Sequence, residues 1–506
     1  MLSSNNLFLM GILQKEALNT TILSYIGLVI GYINKGFLFI VFLSTEQIGL
    51  VNLLLSVGLL FAHLSNFGLV NAVWRFFPFF RNEEKGHYGF LKGVLIKVIF
   101  GALFYTIVAF VLKPEIIYLY HEKSALFVDY FYWVIPIGLA NVIFLIFDMF
   151  LRGLNKNTIS VISNEFFHRV LTTGLILLFG FKLIDFDLFV VLFSFSFFLP
   201  TLILFVHLVK IKELQFKKST AKISKKFQRI VYSYSIFSYL NSIGTVVIVT
   251  LDAMMIAVFL GLKATGVYST ILYLINALQI PIRSIMRVGT SLVAKYWKEK
   301  DMLKMNELYV KVSSISLIIS LYTFMLVWIN IDHIIFYLPN DFKIAGISFL
   351  IFMIGKIIDM YFGLNSIIFI SSKKYKYDII FTSILLVAVY LMNLFLIPHF
   401  GILGAAISTS FAIIFYNVGR LIFVWKLYRL QPFEFNQFKI IALFGGILLL
   451  FKVLPVFEIN PIIYSILNSI LITILFIGGI IVFKFNQDLN GYINKVTFKL
   501  FKKEFK

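Results

Sequence analysis

The amino-acid sequence predicts an all-α integral membrane protein with about fourteen transmembrane helices. Its 506 residues are 60% hydrophobic and only 14% charged, and the mean hydropathy is +0.94, whereas soluble globular chains are about 25% charged. Apolar runs of the ~20 residues needed to cross a bilayer follow one another with short loops between them. Lys and Arg residues are concentrated in alternate loops. This pattern leaves no room for a sizeable soluble domain.

Fourteen stretches have the length and hydropathy of a transmembrane helix. They cover roughly residues 17–42, 47–73, 94–112, 125–147, 158–180, 187–209, 231–258, 266–291, 307–328, 344–369, 379–397, 402–424, 440–456 and 461–483. The opening segment MLSSNNLFLMGILQKEALNT has no basic region leading through a short apolar core to a small-residue cleavage site. We therefore expect no removable signal peptide, and we expect the first span to direct membrane insertion.

The distribution of Lys and Arg between the loops predicts the orientation of the chain. Basic residues dominate one set of alternate loops, which includes the segment KIKELQFKKSTAKISKKFQR. The loops of the other set carry only five, which are Lys113, Lys123, Lys182, Lys263 and Lys343. The positive-inside rule then predicts that both termini are cytoplasmic. Most of the net charge of +21 is thus a topology signal that also suits anionic membrane lipids, and we expect no nucleic-acid partner.

A weak internal repeat relates two loop-and-helix corners. The stretch FLSTEQIGLV (Phe42 to Val51) aligns without gaps with FLGLKATGVY (Phe259 to Tyr268) at a constant offset of 217, with Phe, Leu and Gly in register. Both are outer corners between an odd and an even span, although tight corners also favour Gly on their own. The repeat predicts two six-helix lobes related by a parallel pseudo-twofold axis, followed by an appended helix pair.

This repeat divides the chain into five predicted parts. They are an N-terminal lobe at 1–210, a basic cytoplasmic linker at 211–230, a C-terminal lobe at 231–430, two additional spans at 431–484 and a basic amphipathic tail at 485–506. The tail alternates Lys with apolar residues, so we expect it to lie on the inner membrane surface.

Several charged residues lie inside the predicted spans. Four of them, Lys97, Lys311, Arg420 and Lys452, lie near span ends, where their charges can reach the headgroups. Five lie deeper: Lys35, Arg169, Arg283, Arg287 and Lys356. Each of these five would cost ~2.5 to 3.5 kcal/mol if it faced lipid at the bilayer centre. We therefore expect them to face an aqueous cavity or an ion partner.

Helical spacing predicts partners for two of these cations. Glu165 and Arg169 are four residues apart, with His168 beside them, and Lys356 and Asp359 are three apart, so each pair can meet on one helix face. A purely structural salt bridge explains such a pair as well as a functional one does. Arg283 and Arg287, in contrast, are four residues apart with no acid nearby in the sequence, and Pro281 can loosen their helix.

The interior therefore carries an excess of positive charge. The acids within spans are only Asp129, Glu165, Asp252 and Asp359. A positive cavity concentrates anions, and guanidinium groups suit phosphate because they bind it bidentately. Three of the acids, Glu165, Asp252 and Asp359, are candidates for ion coupling or for structural pairing, and Asp252 can equally tie two helices together.

Three segments carry a resemblance to a known family. They are LQKEALNTTILSYIGLVIGYINKGFLFIVFLSTEQIGLVNLLLSVG, the RFFPFF sequence after the second span, and IPHFGILGAAISTSFAIIFYN. With the six-plus-six-plus-two layout, the chain is similar to bacterial polysaccharide flippases, the Wzx-type O-antigen and capsule flippases. These belong to the multidrug/oligosaccharidyl-lipid/polysaccharide (MOP) exporter superfamily, which includes the MATE transporters. The resemblance therefore implies a MATE-like fold.

The resemblance also implies a function and partners. Members translocate an undecaprenyl-pyrophosphate-linked oligosaccharide, such as an O-antigen, capsule or exopolysaccharide unit, from the inner to the outer leaflet of the bacterial cytoplasmic (inner) membrane. The implied mechanism is alternating access through a cationic lumen, with or without ion coupling. The implied partners are the lipid-linked oligosaccharide, membrane lipids, and the polysaccharide polymerase and chain-length machinery. On this basis Lys35, Arg169, Arg283, Arg287 and Lys356 are the candidate headgroup ligands.

Other functions remain open at the level of the sequence. A lipid II flippase for peptidoglycan would have the same fold and the same excess of positive charge in its interior. A MATE-type cation-coupled multidrug antiporter is disfavoured by the basic excess, because an organic cation favours an acidic cavity. A lipid-linked glycan polymerase is disfavoured by the short outer loops, so we expect a transporter and no enzyme. The chain has no Cys, which excludes disulfides and thiolate metal sites, and nothing in the sequence calls for a metal or a cofactor.

Overall fold

The computed structural model describes residues 23–82, 86–154, 156, 158–214, 225–372, 374, 377–455 and 460–483. The regular elements of these residues are α-helices with short 3-10 and π-helical segments. The chain divides into two compact units. The first comprises Met1–Tyr273 with Ile397–Gly401, and the second comprises Leu274–Leu396 with Ile402–Lys506.

Helices are numbered in chain order. The first unit contains α1 (Leu23–Phe42), α2 (Thr45–Ser65), α3 (Leu69–Phe80), α4 (Phe90–Val111), α5 (Lys113–Tyr120), α6 (Ala125–Gly153), α7 (residues 158–180), α8 (Phe186–Lys210), α9 (Lys225–Phe259) and most of α10 (Leu262–Leu278). The second contains the end of α10 with α11 (Ile280–Glu299), α12 (Met302–Trp328), α13 (Ile331–Phe336), α14 (Ala345–Tyr361), α15 (Gly363–Ile370), most of α16 (Tyr377–Phe400), α17 (Ile402–Tyr428), α18 (Phe435–Val453) and α19 (Pro461–Val482).

The predicted transmembrane pattern is confirmed. Among the described residues, 11 helices are long and apolar enough to cross a membrane, or up to 13 if two bent pairs each count as one span. The bent pairs are α10 with α11, at 51°, and α14 with α15, at 45°. Pro281 follows the first bend, where its ring disfavours a straight helix. The remaining predicted span is α7, a continuous helical run that carries the polar residues Glu165, His168 and Arg169.

One predicted span, 47–73, is wrong in its extent because it covers parts of two helices. α2 ends at Ser65 and α3 begins at Leu69. Between them the backbone turns through positive φ angles of 47° at Phe67 and 73° at Gly68, and the Asn66 side chain accepts a hydrogen bond of 2.7 Å from the Gly68 N–H. The segments on both sides are apolar, so hydropathy alone does not show this break.

The first unit is organised around α2. This helix packs against α4, α6 and α9, and its residues Leu50, Val51, Leu53 and Leu54 are fully buried. Burial on several sides explains why apolar residues occur on more than one face of α2. Because lipid tails are as apolar as Leu, such packing in a membrane depends on close van der Waals fit. α9 joins the first unit through its contacts with α2 and α3, and the predicted lobe boundaries stay a prediction.

The two repeat corners meet at a reciprocal contact between α2 and α10. Gly49 and Gly266 are equivalent at the offset of 217. A Cβ atom built on Gly49 would overlap the Leu262 carbonyl and lie 3.0 Å from the Gly266 N. A Cβ atom on Gly266 would overlap the Thr45 carbonyl and lie 3.1 Å from the Gly49 N. Thr45 and Leu262 are themselves equivalent at the same offset, so the contact has the mutual form that a local twofold axis produces.

The second unit is built on α12, α14 and α17. α14 packs along α17 and α12, and the two C-terminal helices α18 and α19 pack on each other and on α12. Met325, Ile440 and Ile472 are fully buried in the core between them. The predicted helix pair at 431–484 therefore forms part of this unit. Most of the predicted basic linker (215–224) and the predicted tail lie outside the described residues.

The expectation that Arg420 extends to the headgroups is wrong. The residue is 4% exposed, its guanidinium pairs with Asp378, and it lies 4.0 Å from the centre of the Tyr416 ring. Asp378 lies just outside the predicted span 379–397, so the count of intramembrane acids omitted it. Lys97, in contrast, is exposed and donates a 3.0 Å hydrogen bond to the Tyr232 hydroxyl.

Candidate functional site

The contact between α1 and α7 forms the centre of the candidate site. Each helix contains one π-helical turn where they meet, Asn34–Leu38 in α1 and Ile162–Phe167 in α7. A π-helical turn widens the helix and leaves backbone groups available for other partners, and such turns occur frequently at functional sites. Three side chains predicted as site residues, Lys35, Glu165 and Arg169, lie in or next to these turns.

The predicted pair of Glu165 and Arg169 is confirmed. The Arg169 Nη2 atom binds the Glu165 carboxylate, and the Nη1 atom donates a 2.6 Å hydrogen bond to the Gly27 carbonyl on α1. The missing side chain of Gly31 makes room for the guanidinium, because a Cβ atom there would lie 2.5 Å from Arg169 Nη1. Arg169 therefore has its charge compensated on its own helix and also ties α7 to α1.

Asn34 completes this tie from α1. Its Nδ2 atom donates a 2.9 Å hydrogen bond to the Arg169 carbonyl, and its Oδ1 atom accepts a 2.8 Å hydrogen bond from the Thr173 hydroxyl. Asn34 is 3% exposed, so these bonds satisfy a buried amide that would otherwise be costly. Polar ties of this kind hold transmembrane helices together.

Lys35 differs from its neighbour Arg169 in having no carboxylate partner in the described part of the chain. Its Nζ atom lies 5.5 Å from the centre of the Tyr273 ring on α10. Among the described residues, no carboxylate lies within salt-bridge distance of Lys35, and no protein acceptor binds its ammonium. A cation–π contact stabilises an ammonium without neutralising it, so Lys35 keeps its capacity to bind an anion.

Tyr273, which borders this ammonium, packs against a second tyrosine. The rings of Tyr32 on α1 and Tyr273 on α10 lie with centroids 4.9 Å apart and planes inclined by 45°. The Tyr273 hydroxyl would lie 3.1 Å from a Cβ atom on Gly31, on the side where the Arg169 guanidinium also approaches. The site thus brings together an ammonium, a guanidinium, a phenol hydroxyl and one carboxylate.

His168 faces a different neighbour. Its Nε2 atom lies 3.2 Å from the Ser196 hydroxyl on α8, and its ring centre is 4.5 Å from that of Phe197. The structure therefore accounts for His168 as a residue that packs and bonds against α8. No group of three or more His, Asp or Glu side chains suited to a metal ion occurs in the part of the chain that the structure describes.

The second unit holds a separate polar cluster. Lys356 Nζ lies 3.8 Å from Asp359 Oδ2 on α14, which confirms the predicted pair, and the Asn417 side chain on α17 donates a 3.2 Å hydrogen bond to Asp359 Oδ1. Arg283 on α11 is exposed. The side chain of Arg287 lies outside the described residues, so the predicted stacking of these two arginines stays a prediction.

Asp252 lies on α9 and is 2% exposed. Its Oδ2 atom accepts a 2.6 Å hydrogen bond from the hydroxyl of Tyr268 on α10, so it ties the two helices, as one of the two sequence interpretations expects. A buried carboxylate needs such donors, because an unsatisfied one costs free energy.

Replacing Tyr268 by Phe is expected to lower the melting temperature of the purified protein. The change removes the donor to a buried carboxylate and should cost about 1 to 3 kcal/mol of unfolding free energy. The measurement is a thermal unfolding curve in detergent. The matched control is Tyr390→Phe, because Tyr390 is 47% exposed. A Tyr268→Phe variant that unfolds at the wild-type temperature would show that this hydrogen bond does not stabilise the helix pair.

Sequence reasoning missed several residues that surround the predicted charges: Gly31, Tyr32, Thr173 and Tyr273. A usable signal was the spacing of Gly27, Gly31 and Asn34 on α1, which places three small or polar residues on one helix face, a pattern typical of close helix contacts in membranes. The partner helix could not be inferred, because Asn34 and Arg169 are 135 residues apart in sequence.

A family described as "Polysaccharide biosynthesis protein" matches residues 13–293, which is more than half of the chain and includes the whole α1–α7 site. The chain belongs to this family. The family match ends within α11, so the second unit is covered only at its beginning.

One curated relative is similar to this chain. An uncharacterised membrane protein of Methanocaldococcus jannaschii is 26% identical over 276 residues, which are 53% of this chain and 52% of the relative. The match thus spans about half the length of that relative. Because it has no described activity, it adds to the sequence relationship and carries no function.

The solved structures show the fold. A lipid II flippase, MurJ, in an inward closed conformation has a TM-score of 0.68 and 15% identity, covering 91% of this chain and 98% of its own. A MATE-family multidrug resistance transporter of the MOP superfamily, facing inward, has a TM-score of 0.60 and 14% identity, covering 79% and 94%. A MOP superfamily transporter from Pyrococcus furiosus has a TM-score of 0.53 and 15% identity, covering 82% and 96%. This family member therefore has the MATE-like fold of the MOP transporters, as predicted.

Proposed function

We propose that this protein is a flippase that moves an undecaprenyl-pyrophosphate-linked oligosaccharide from the inner to the outer leaflet of the cytoplasmic membrane. The family match and the transporter fold support a membrane transporter of polysaccharide biosynthesis. The observation that carries the choice of an anionic substrate is the Lys35 ammonium, which has no carboxylate partner among the described residues.

The charge balance of the site favours an anionic headgroup. Lys35 and Arg169 together outweigh the single carboxylate of Glu165, so the local field is positive. In a low-dielectric environment such a field attracts anions and repels cations. A pyrophosphate headgroup can bind the Lys35 ammonium directly, while the polyprenyl chain stays in the bilayer. An organic cation, the type of substrate expected for a multidrug antiporter, would meet repulsion at the same place.

We assign different roles to the predicted ligands, and their contacts support this division. Lys35 is the proposed headgroup ligand of the first unit, and Arg169, which is already bound by Glu165 and Gly27, is proposed to hold α1 and α7 in position. Arg283, Arg287 and Lys356 remain proposed ligands of the anionic headgroup. Glu165 and Asp359 remain candidates for ion coupling, whereas Asp252 acts as a helix tie in this conformation.

Transport of this kind requires no covalent chemistry. A headgroup that binds one conformation more tightly than the other shifts the equilibrium between them. The size of the shift is set by the difference between the two affinities. A cationic side chain at the binding site therefore contributes to transport only if its contact with the headgroup changes between the inward and outward states. An ion gradient can shift the equilibrium between these states further.

Cells in which the gene is deleted are expected to accumulate a lipid-linked oligosaccharide on the inner leaflet and to lose the corresponding surface polysaccharide. The measurement combines lipid extraction and leaflet-specific labelling with staining of the surface glycan, and re-expression of the intact chain should restore both. Normal surface glycan together with new dye sensitivity would overturn the proposal in favour of a multidrug antiporter. Rescue of cells depleted of their lipid II flippase, with normal surface glycan in the deletion strain, would overturn it in favour of lipid II.

A further inference from the structure

We infer that Tyr32 and Tyr273 form a saccharide subsite beside Lys35, so that the site recognises the first sugar attached to the pyrophosphate as well as the phosphate itself. This inference rests on the proposed function and adds a sugar contact to it. The two tyrosines come from α1 and α10, and both are half-buried, so each presents part of its surface at the site.

The hydroxyl of Tyr273 is the first observation. In the described part of the chain it donates to no protein acceptor, while the ring of the same residue contacts Tyr32 and the Lys35 ammonium. A tyrosine that serves only for packing usually finds a partner for its hydroxyl when it is buried, and otherwise Phe would suit the position. The hydroxyl lies on the same side of Gly31 as Arg169 Nη1, since a Cβ atom on Gly31 would lie 3.1 Å from the hydroxyl and 2.5 Å from Nη1.

The arrangement of the rings is the second observation. The Tyr32 and Tyr273 centroids are 4.9 Å apart with planes inclined by 45°, so the two rings are not stacked face to face. A pyranose ring has apolar C–H faces and polar hydroxyl edges. Binding sites for such ligands combine aromatic walls with a few placed polar groups, and this site supplies the aromatic pair, a phenol hydroxyl and an ammonium within one cluster.

The cluster therefore distinguishes two forms of the lipid carrier. A pyrophosphate without sugar can use the Lys35 ammonium but has no ring to place against the tyrosines. A glycosylated pyrophosphate can use both. The site would thus favour the loaded carrier over the empty one, which prevents futile transport of carrier that bears no sugar.

The test measures the dissociation constants of the purified full-length protein in lipid nanodiscs for two probes. One is undecaprenyl pyrophosphate, and the other is undecaprenyl pyrophosphate that bears a single N-acetylglucosamine. We expect the wild type to bind the glycosylated probe about tenfold more tightly, which corresponds to one or two good contacts. Tyr32→Leu should remove most of this preference, and Tyr273→Phe should reduce it about threefold, because it keeps the ring and removes only the hydroxyl.

The binding of undecaprenyl pyrophosphate itself should stay within about twofold in both variants, since Lys35 is unchanged. Tyr390→Leu, at an exposed position, is the matched control, and thermal unfolding checks that each variant is folded. Equal losses for both probes, or no loss for either, would overturn the saccharide subsite and leave the tyrosines with a packing role. A wild-type protein that binds neither probe would instead overturn the proposed function.

Discussion

Replacing Gly266 by Val is expected to abolish accumulation of folded protein in the membrane. The first added atom would overlap the Thr45 carbonyl and lie 3.1 Å from the Gly49 N, and both neighbours are backbone atoms of α2, which cannot rotate away as a side chain can. Overpacking of a tight contact typically costs about 1 to 3 kcal/mol and occasionally more, and here α2 is also the centre of the first unit. We expect a cost above the usual range here, because the struck main-chain atoms cannot move unless α2 separates from α10, and such a cost would offset much of an ordinary folding stability of about 5 to 15 kcal/mol.

The measurement is membrane abundance and monodispersity of a fluorescent fusion, followed by thermal unfolding of any protein recovered. Gly49→Val should have the same effect, because its added atoms would overlap the Leu262 carbonyl. Gly174→Ala and Gly445→Ala are the matched controls, since a Cβ atom at either position meets nothing within 4 Å. Normal abundance and melting of Gly266→Val would show that α2 and α10 do not need this close approach.

The second large effect is expected from Lys35→Gln, which should reduce transport at least tenfold while the amount of protein in the membrane stays normal. The substitution keeps a polar side chain of similar reach and removes the charge. A hydrogen bond to a charged group contributes about 1.5 to 3 kcal/mol, which corresponds to a factor of roughly ten to one hundred. Stability should change little, because no carboxylate among the described residues depends on Lys35 for neutralisation.

Transport is measured as restoration of surface polysaccharide in the deletion strain and as the rate of headgroup translocation in reconstituted vesicles. Lys35→Arg should keep most of the activity, because it retains the charge. The control for general effects of charge removal is Lys452→Gln, at an exposed position near the end of α18. Full activity of Lys35→Gln would refute the role of Lys35 in headgroup binding, whereas the family membership would stand.

The sequence was sufficient for the layout of the membrane spans and for pairs within one helix. Hydropathy reports burial in lipid or protein directly, so thirteen of the fourteen predicted stretches correspond to helices or bent helix pairs that meet the transmembrane criterion. The fourteenth stretch is α7, a continuous helical run that carries Glu165 and Arg169 and stays a predicted span. The pair of Glu165 and Arg169 followed from their spacing, because residues four apart share a helix face.

Contacts between distant segments could not be read in the same way. The Asp378 partner of Arg420 is 42 residues away and outside the predicted span, and the break at Phe67 and Gly68 depends on a local backbone turn in an apolar run. The tyrosines beside Lys35 were overlooked for a related reason. An aromatic residue in a span is ordinary by composition, and its role becomes visible only when the fold places Tyr273 next to residues of α1.

The mutual contact of Gly49 and Gly266 has a consequence for second-site suppression. In most tight contacts, a side chain that is too large at one position can be accommodated by a smaller one opposite. At this crossing both positions already have no side chain, and the atoms that would be struck belong to the main chain of the partner helix. Neither position can therefore compensate for the other, and relief requires the two helix axes to separate.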